Sequence, residues 1–173
     1  LIEKVVSRMK NLKIGDGRRS CDMGPLVTRE HRDKVASYIE IAEKDGAKVV
    51  VDGRGIAVDG EAGGFWLGPT LIDNVPTTSK VYTEEIFGPV LSIISYHNDA
   101  DAVRIANDST FGLGGSVWSR DSERALGIAR RVHTGTVGIN GYMPSLGSPF
   151  GGVKDSGLGR EFGPEAVSGY QQL

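Results

Sequence analysis

Cysteine is nearly absent: Cys21 is the single one in 173 residues, which excludes a disulfide within the chain and fits a reducing, cytoplasmic compartment. A dominant charge of either sign is lacking too. The formal net charge of −2 gives no electrostatic case for nucleic acid or an anionic membrane as a partner. No apolar run nears the ~20 residues of a transmembrane helix. Histidine is scarce, and His31, His97 and His133 lack metal-ligand spacing with Cys21 or with each other, so no metal site is expected. An initiating methionine is missing as well. Leu1 already lies inside a helical pattern and residues 168–173 form no separate tail, so the expectation is a piece of a longer protein. The lack of a signal peptide is then uninformative.

Glycine, by contrast, is abundant. Its 25 residues imply many tight turns and close backbone approaches. With 39% hydrophobic and 24% charged residues, the composition is that of a soluble α/β protein, long enough for one domain with a full core. Leu1, Ile2, Val5, Val6, Met9 and Leu12 follow the helical period and predict an amphipathic helix over 1–12. A polar loop follows at 15–20. Thr28 is placed to cap a second helix with the apolar face Val35, Tyr38, Ile39 and Ala42, ended by Gly46. Strands are expected at 48–51 and 70–72, separated by a Gly-rich loop or hairpin at 53–64. The second half alternates: strand 90–96, helix 99–107, strand 115–118, helix 121–132 and strand 136–140. That order predicts an α/β fold with a mostly parallel sheet, flanking helices and right-handed crossovers, in one domain without internal repeats or linkers.

The run Glu84-Glu85-Ile86-Phe87-Gly88-Pro89-Val90 stands directly before the first of those later strands. The Glu85 carboxylate can accept two hydroxyl hydrogen bonds from a ribose. Two residues on, the Phe87 ring can pack against a flat heterocycle. Gly88-Pro89 turns the chain sharply into the strand. The spacing suits a clamp on a nicotinamide ribose. The plainer alternatives are a solvated or helix-capping Glu85 and an ordinary core Phe87.

A second run follows Asn140 and its loop: Ser148-Pro149-Phe150-Gly151-Gly152-Val153-Lys154-Asp155-Ser156-Gly157-Leu158-Gly159-Arg160-Glu161. With the Glu85 run, with residues 22–26 (Asp-Met-Gly-Pro-Leu) and with residues 135–140 (Gly-Thr-Val-Gly-Ile-Asn), it resembles the aldehyde dehydrogenase superfamily across essentially the whole chain. The resemblance implies a C-terminal catalytic-domain portion, residues 1–173, of an enzyme that oxidises an aldehyde to a carboxylic acid with NAD or NADP. It implies that Glu85 holds the nicotinamide ribose and Phe87 the ring. Asn140 then stands at the active-site strand end, holding local backbone. Phe150 lies at the substrate tunnel, with Tyr142, Met143 and Leu146 on the variable loop beside it; alternatively, Phe150 covers the sheet end. Lys154, Arg160 and Glu161 are expected to lock that loop through ion pairs or carbonyl contacts. His31 lies near a position that contacts the cofactor ribose in some members, although a plain surface histidine is the simpler expectation.

In the superfamily a cysteine thiolate attacks the aldehyde, hydride passes to NAD(P)+, and a glutamate-activated water releases the acid. The resemblance places that cysteine, the glutamate and the dinucleotide-binding domain upstream of Leu1. Cys21 stands where no nucleophile is expected, so this chain holds no catalytic residue and should be inactive alone. Intact members associate as dimers or tetramers, which leaves a structural or oligomerisation module without catalysis as the rival reading. A branch releasing an acyl-CoA fits residues 150–157 less well than the hydrolytic branch.

Overall fold

The computed structural model describes residues 1–58 and 63–172. The N-terminal period forms α1 (Ile2–Met9), shorter than expected. The Asn11 amide donates to the Arg8 carbonyl at 3.1 Å, tightening the turn and leaving Leu12 outside the helix. In the polar loop that follows, Asp16 caps a short 3-10 turn, Gly17–Arg19.

α2 (Arg29–Lys44) begins as the sequence predicts: Thr28 is extended and its Oγ1 accepts from the His31 amide at 3.1 Å. Val35, Tyr38, Ile39 and Ala42 are all buried, and Gly46, with a φ of +88°, lets the chain leave the helix end. The chain then enters a mixed sheet. β1 (Lys48–Val51) runs antiparallel to β2 (Thr70–Asp73), with an irregular register between Val49 and Val51. Of the loop expected at 53–64, residues 59–62 lie outside the described residues. α3 (Lys80–Thr83), a single turn capped by Ser79, carries no period and was not expected. β3 (Val90–Ser92) pairs in parallel with β2, from Thr70↔Val90 to Ile72↔Ser92.

β2 is the centre of this sheet. Thr70, Leu71 and Ile72 are fully buried, and Ile72 packs with Tyr38, Ala42 and Val81 while Val35, Ile39 and Leu67 form an adjoining cluster. Each such aliphatic side chain contributes about 1.5–3 kcal/mol by leaving water. β3 ends sooner than the apolar run to Tyr96 suggests, because the paired stretch of β2 is itself short. It also belongs with β2, not at the head of the later strand series.

The contacts divide the chain into two compact units, Leu1–Ser95 and Tyr96–Leu173, where composition pointed to one domain without a linker. The second unit contains α4 (Asp99–Asn107), β4 (Gly114–Val117), α5 (Ser122–Ala129) and β5 (Thr136–Ile139). Asn98 and Asp121 cap the two helices, accepting from the Asp101 and Arg124 amides at 3.0 Å each. Arg124 Nε also donates to Asp99 Oδ2 at 2.8 Å, tying α5 to the start of α4. β4 and β5 are parallel, in register from Gly114↔Thr136 to Val117↔Ile139. Mostly parallel pairing with flanking helices is the α/β class expected. Two further 3-10 segments, Lys154–Ser156 and Pro164–Tyr170, follow β5.

Gly112 is a junction in this unit. Its amide donates to Ser156 Oγ at 3.0 Å, and its carbonyl accepts from the Gly135 and Val153 amides at 3.0 and 2.9 Å. A Cβ there would lie 2.8 Å from Val153 Cγ2, so no larger residue fits without displacement.

Candidate functional site

In the first unit the Glu84–Val90 run leaves α3 and enters β3. Glu84 ends α3, its amide donating to the Lys80 carbonyl at 2.8 Å. Its side chain is taken by a buried partner: Tyr38 Oη donates to Glu84 Oε2 at 2.6 Å. That bond and burial push the Tyr38 phenol above its ordinary pKa, so it remains a donor throughout the neutral range. Glu85 is exposed and, among the described residues, has neither a hydrogen-bond nor an ion-pair partner. Ile86 packs inward against both core clusters.

Phe87 is 75% exposed, which removes the core-packing alternative. Its backbone sits in the left-handed region, φ +55°. The His31 ring meets it in two ways: Nε2 lies 2.7 Å from the Phe87 carbonyl oxygen, and the rings stand edge to face with centroids 6.1 Å apart. A carbonyl can only accept, so Nε2 is the protonated nitrogen of His31. His31 is therefore no plain surface histidine. At Gly88 a Cβ would lie 2.6 Å from Val35 Cγ1, and the Pro89 carbonyl accepts from the Thr70 amide at 2.8 Å. The turn is thus held on both sides.

In the second unit Asn140, φ +53°, ends β5. Its Oδ1 accepts from the Ser119 amide at 2.8 Å and its Nδ2 donates to the Ser119 carbonyl at 2.9 Å. Both backbone groups of Ser119 are satisfied by one side chain, which fixes the loop after β4. Beyond Asn140, Tyr142 Oη meets Thr136 Oγ1 at 2.8 Å and lies over Gly114, where a Cβ would collide with the hydroxyl. Tyr142, Met143 and Phe150 surround a hollow of about 210 Å³ with Thr136, Gly138 and Ser148. Leu146 and Asn140 do not line it, and Leu146 is 78% exposed. Phe150 bridges Glu161, with amide and carbonyl exchanged at 2.7 Å each way, and packs on Phe162 at 6.2 Å between centroids. Carbonyl contacts hold the rest of the loop. Lys154 Nζ donates to the Asn107 and Ser109 carbonyls at 3.1 and 2.8 Å, and one Arg160 nitrogen donates to those of Gly152, Leu158 and Gly159 at 2.7, 3.2 and 2.8 Å.

Cys21 is partly buried, with Sγ 4.0 Å from the Arg19 carbonyl oxygen. Arg18, its other basic neighbour, is bound to Asp16.

Helices packed beside small, mostly parallel sheets, with exposed polar and aromatic groups on loops at the strand ends, define an α/β protein. The comparison with protein families is more particular. The aldehyde dehydrogenase family matches residues 1–173, and the chain belongs to that family. It is 47% identical over 173 residues to geranial dehydrogenase of Castellaniella defragrans, covering 99% of this chain and 35% of that protein. It is 36% identical to betaine aldehyde dehydrogenase of Bacillus subtilis, covering 99% of this chain and 36% of that protein. Among solved structures, an aldehyde dehydrogenase of Mycobacterium tuberculosis complexed with NAD+ superposes with a TM-score of 0.91 at 41% identity, over 99% of this chain and 35% of that one. Betaine aldehyde dehydrogenase of Staphylococcus aureus in complex with NAD+ gives 0.91 at 37% identity, over 97% and 34%. The chain thus spans about a third of the length of the relatives it matches.

Proposed function

We propose that this chain is the C-terminal, catalytic-domain portion of an NAD(P)-dependent aldehyde dehydrogenase that converts an aldehyde to a carboxylic acid. The observation that carries the reading is the exposed pair Glu85 and Phe87 on a turn held from below by α2 and β2. Glu85 offers a free carboxylate to the two hydroxyls of a nicotinamide ribose, and Phe87 offers an exposed ring to the flat base. The bound cofactor supplies the hydride acceptor. Asn140 fixes the loop after β4. Tyr142, Met143 and Phe150 form an apolar wall for the aldehyde, and Leu146 extends the same loop at its exposed side.

Support comes from the NAD+ complexes of the Staphylococcus and Mycobacterium relatives and from the aldehyde-oxidising names of the others. The single cysteine fits a reducing compartment. The intact protein is expected to be a homo-oligomer, dimer or tetramer. The nucleophile and general base belong to the part of the protein outside this chain, so the isolated chain should not turn over.

The test is an assay of the isolated chain and of the longer protein carrying it, with an aldehyde and NAD+ or NADP+. Turnover by the longer protein only is expected. Turnover by the chain alone that disappears on Cys21→Ala would overturn the assignment of the nucleophile to another region.

A further inference from the structure

We infer that one face of α2 is the template for the cofactor clamp, with Tyr38 and His31 as positioning residues that set Glu85 and Phe87 without touching the cofactor's reacting atoms. The inference rests on the cofactor reading proposed above and assigns the device that makes the clamp rigid.

His31, Val35 and Tyr38 fall at helical spacings of four and three, so they share one face of α2. Each meets a different point of the Glu84–Gly88 run. Tyr38 Oη holds the Glu84 carboxylate at 2.6 Å, His31 Nε2 holds the Phe87 carbonyl at 2.7 Å, and the Val35 methyls fill the space that a side chain at position 88 would need. Ile86, between the two hydrogen-bonded points, is anchored in the core. With its neighbours fixed on both sides, Glu85 is the one carboxylate of the exposed pair without a hydrogen-bond partner among the described residues. The adjacent glutamates are therefore not equivalent: Glu84 is engaged by the fold and Glu85 is presented.

The conformation needs such support. Phe87 carries a Cβ at a φ of +55°, a region that side-chain-bearing residues enter at a cost, and its exposed ring gains little burial in return. The His31 bond is made to the carbonyl of that same residue. Tyr38, whose phenol is held protonated beside Glu84, keeps its donor across the neutral range.

The experiment uses the longer protein carrying this chain, with variants Tyr38→Phe, His31→Ala, His31→Gln and Glu85→Gln. The readouts are KM for NAD+ or NADP+ (whichever the wild type uses), KM for the aldehyde, kcat and the melting temperature. Tyr38→Phe and His31→Ala are each expected to raise the cofactor KM roughly three- to tenfold, the worth of one hydrogen bond, with the aldehyde KM unchanged. His31→Gln, which can still donate to the Phe87 carbonyl, should restore the value. A cofactor KM at the wild-type level in Tyr38→Phe and His31→Ala, while Glu85→Gln raises it, would overturn the template and spare the cofactor reading. A wild-type cofactor KM in Glu85→Gln would overturn the cofactor reading itself. Lowered melting with an unchanged cofactor KM, or no rescue by His31→Gln, also counts against the template.

Discussion

Phe87 combines two features that folding alone selects against, an exposed ring and a left-handed backbone. The left-handed region costs a side-chain-bearing residue on the order of 1–2 kcal/mol, and glycine avoids most of that at the expense of a more flexible unfolded chain. Phe87→Gly should therefore leave stability unchanged or raise it by up to ~1 kcal/mol in urea unfolding, while weakening cofactor binding. A loss of several kcal/mol would show that the ring supports the fold instead. Gly88→Ala should behave oppositely, because its methyl would meet Val35 at 2.6 Å and overpacking costs about 1–3 kcal/mol. The turn that presents Glu85 and Phe87 was legible in the sequence because its residues lie within one short run. His31 was not, since its bond to Phe87 spans 56 positions and depends on how α2 packs against that turn.

At the scale of elements, side chains that act on their own backbone were the readable ones. Thr28 marks the start of α2 by local hydrogen bonding, and the helix predicted at 99–107 forms with those bounds behind the Asn98 cap. Pairing is different: the apolar run from Val90 to Tyr96 fits a longer strand, but the short paired stretch of β2 decides where β3 stops. α3 and the 3-10 segments are too short to display any period. The loop after β5 owes its order to long-range carbonyl contacts. Lys154→Met should speed amide exchange across residues 150–161, a local loss of about 1–3 kcal/mol, because two carbonyls lose a charged donor. The polar loop before α2 responds to acid. The side-chain hydrogen bond from Arg18 lowers the Asp16 carboxyl from 3.8 to about 2. Its folded value lies below the unfolded one, so its stabilisation is complete above 3.8 and is lost as pH falls toward 2. Asp16→Asn should flatten the pH dependence of unfolding, followed by circular dichroism, within that window.

For the whole molecule, the family was legible because two long motifs occur in the right order, whereas the division after Ser95 was not, since no linker composition marks it. Large apolar side chains are exposed in the second unit, among them Trp118, Met143, Leu158 and Tyr170. Exposed apolar surface of this kind favours association. The isolated chain is expected to self-associate in light scattering and to bind an apolar dye; a monodisperse monomer that leaves the dye dark would contradict this. The Gly112 junction has a consequence for how the chain is made. Ribosomes deliver residues in order, and domains tend to close as their last partners emerge. Every bond described for the Glu84–Val90 turn is available once the first unit has been synthesised. Gly112 must wait a further 44 positions for Ser156 to satisfy its amide. The Glu84–Val90 turn is therefore free to form early in translation, while the loop that carries Phe150 is sealed only when nearly all of this sequence has left the exit tunnel.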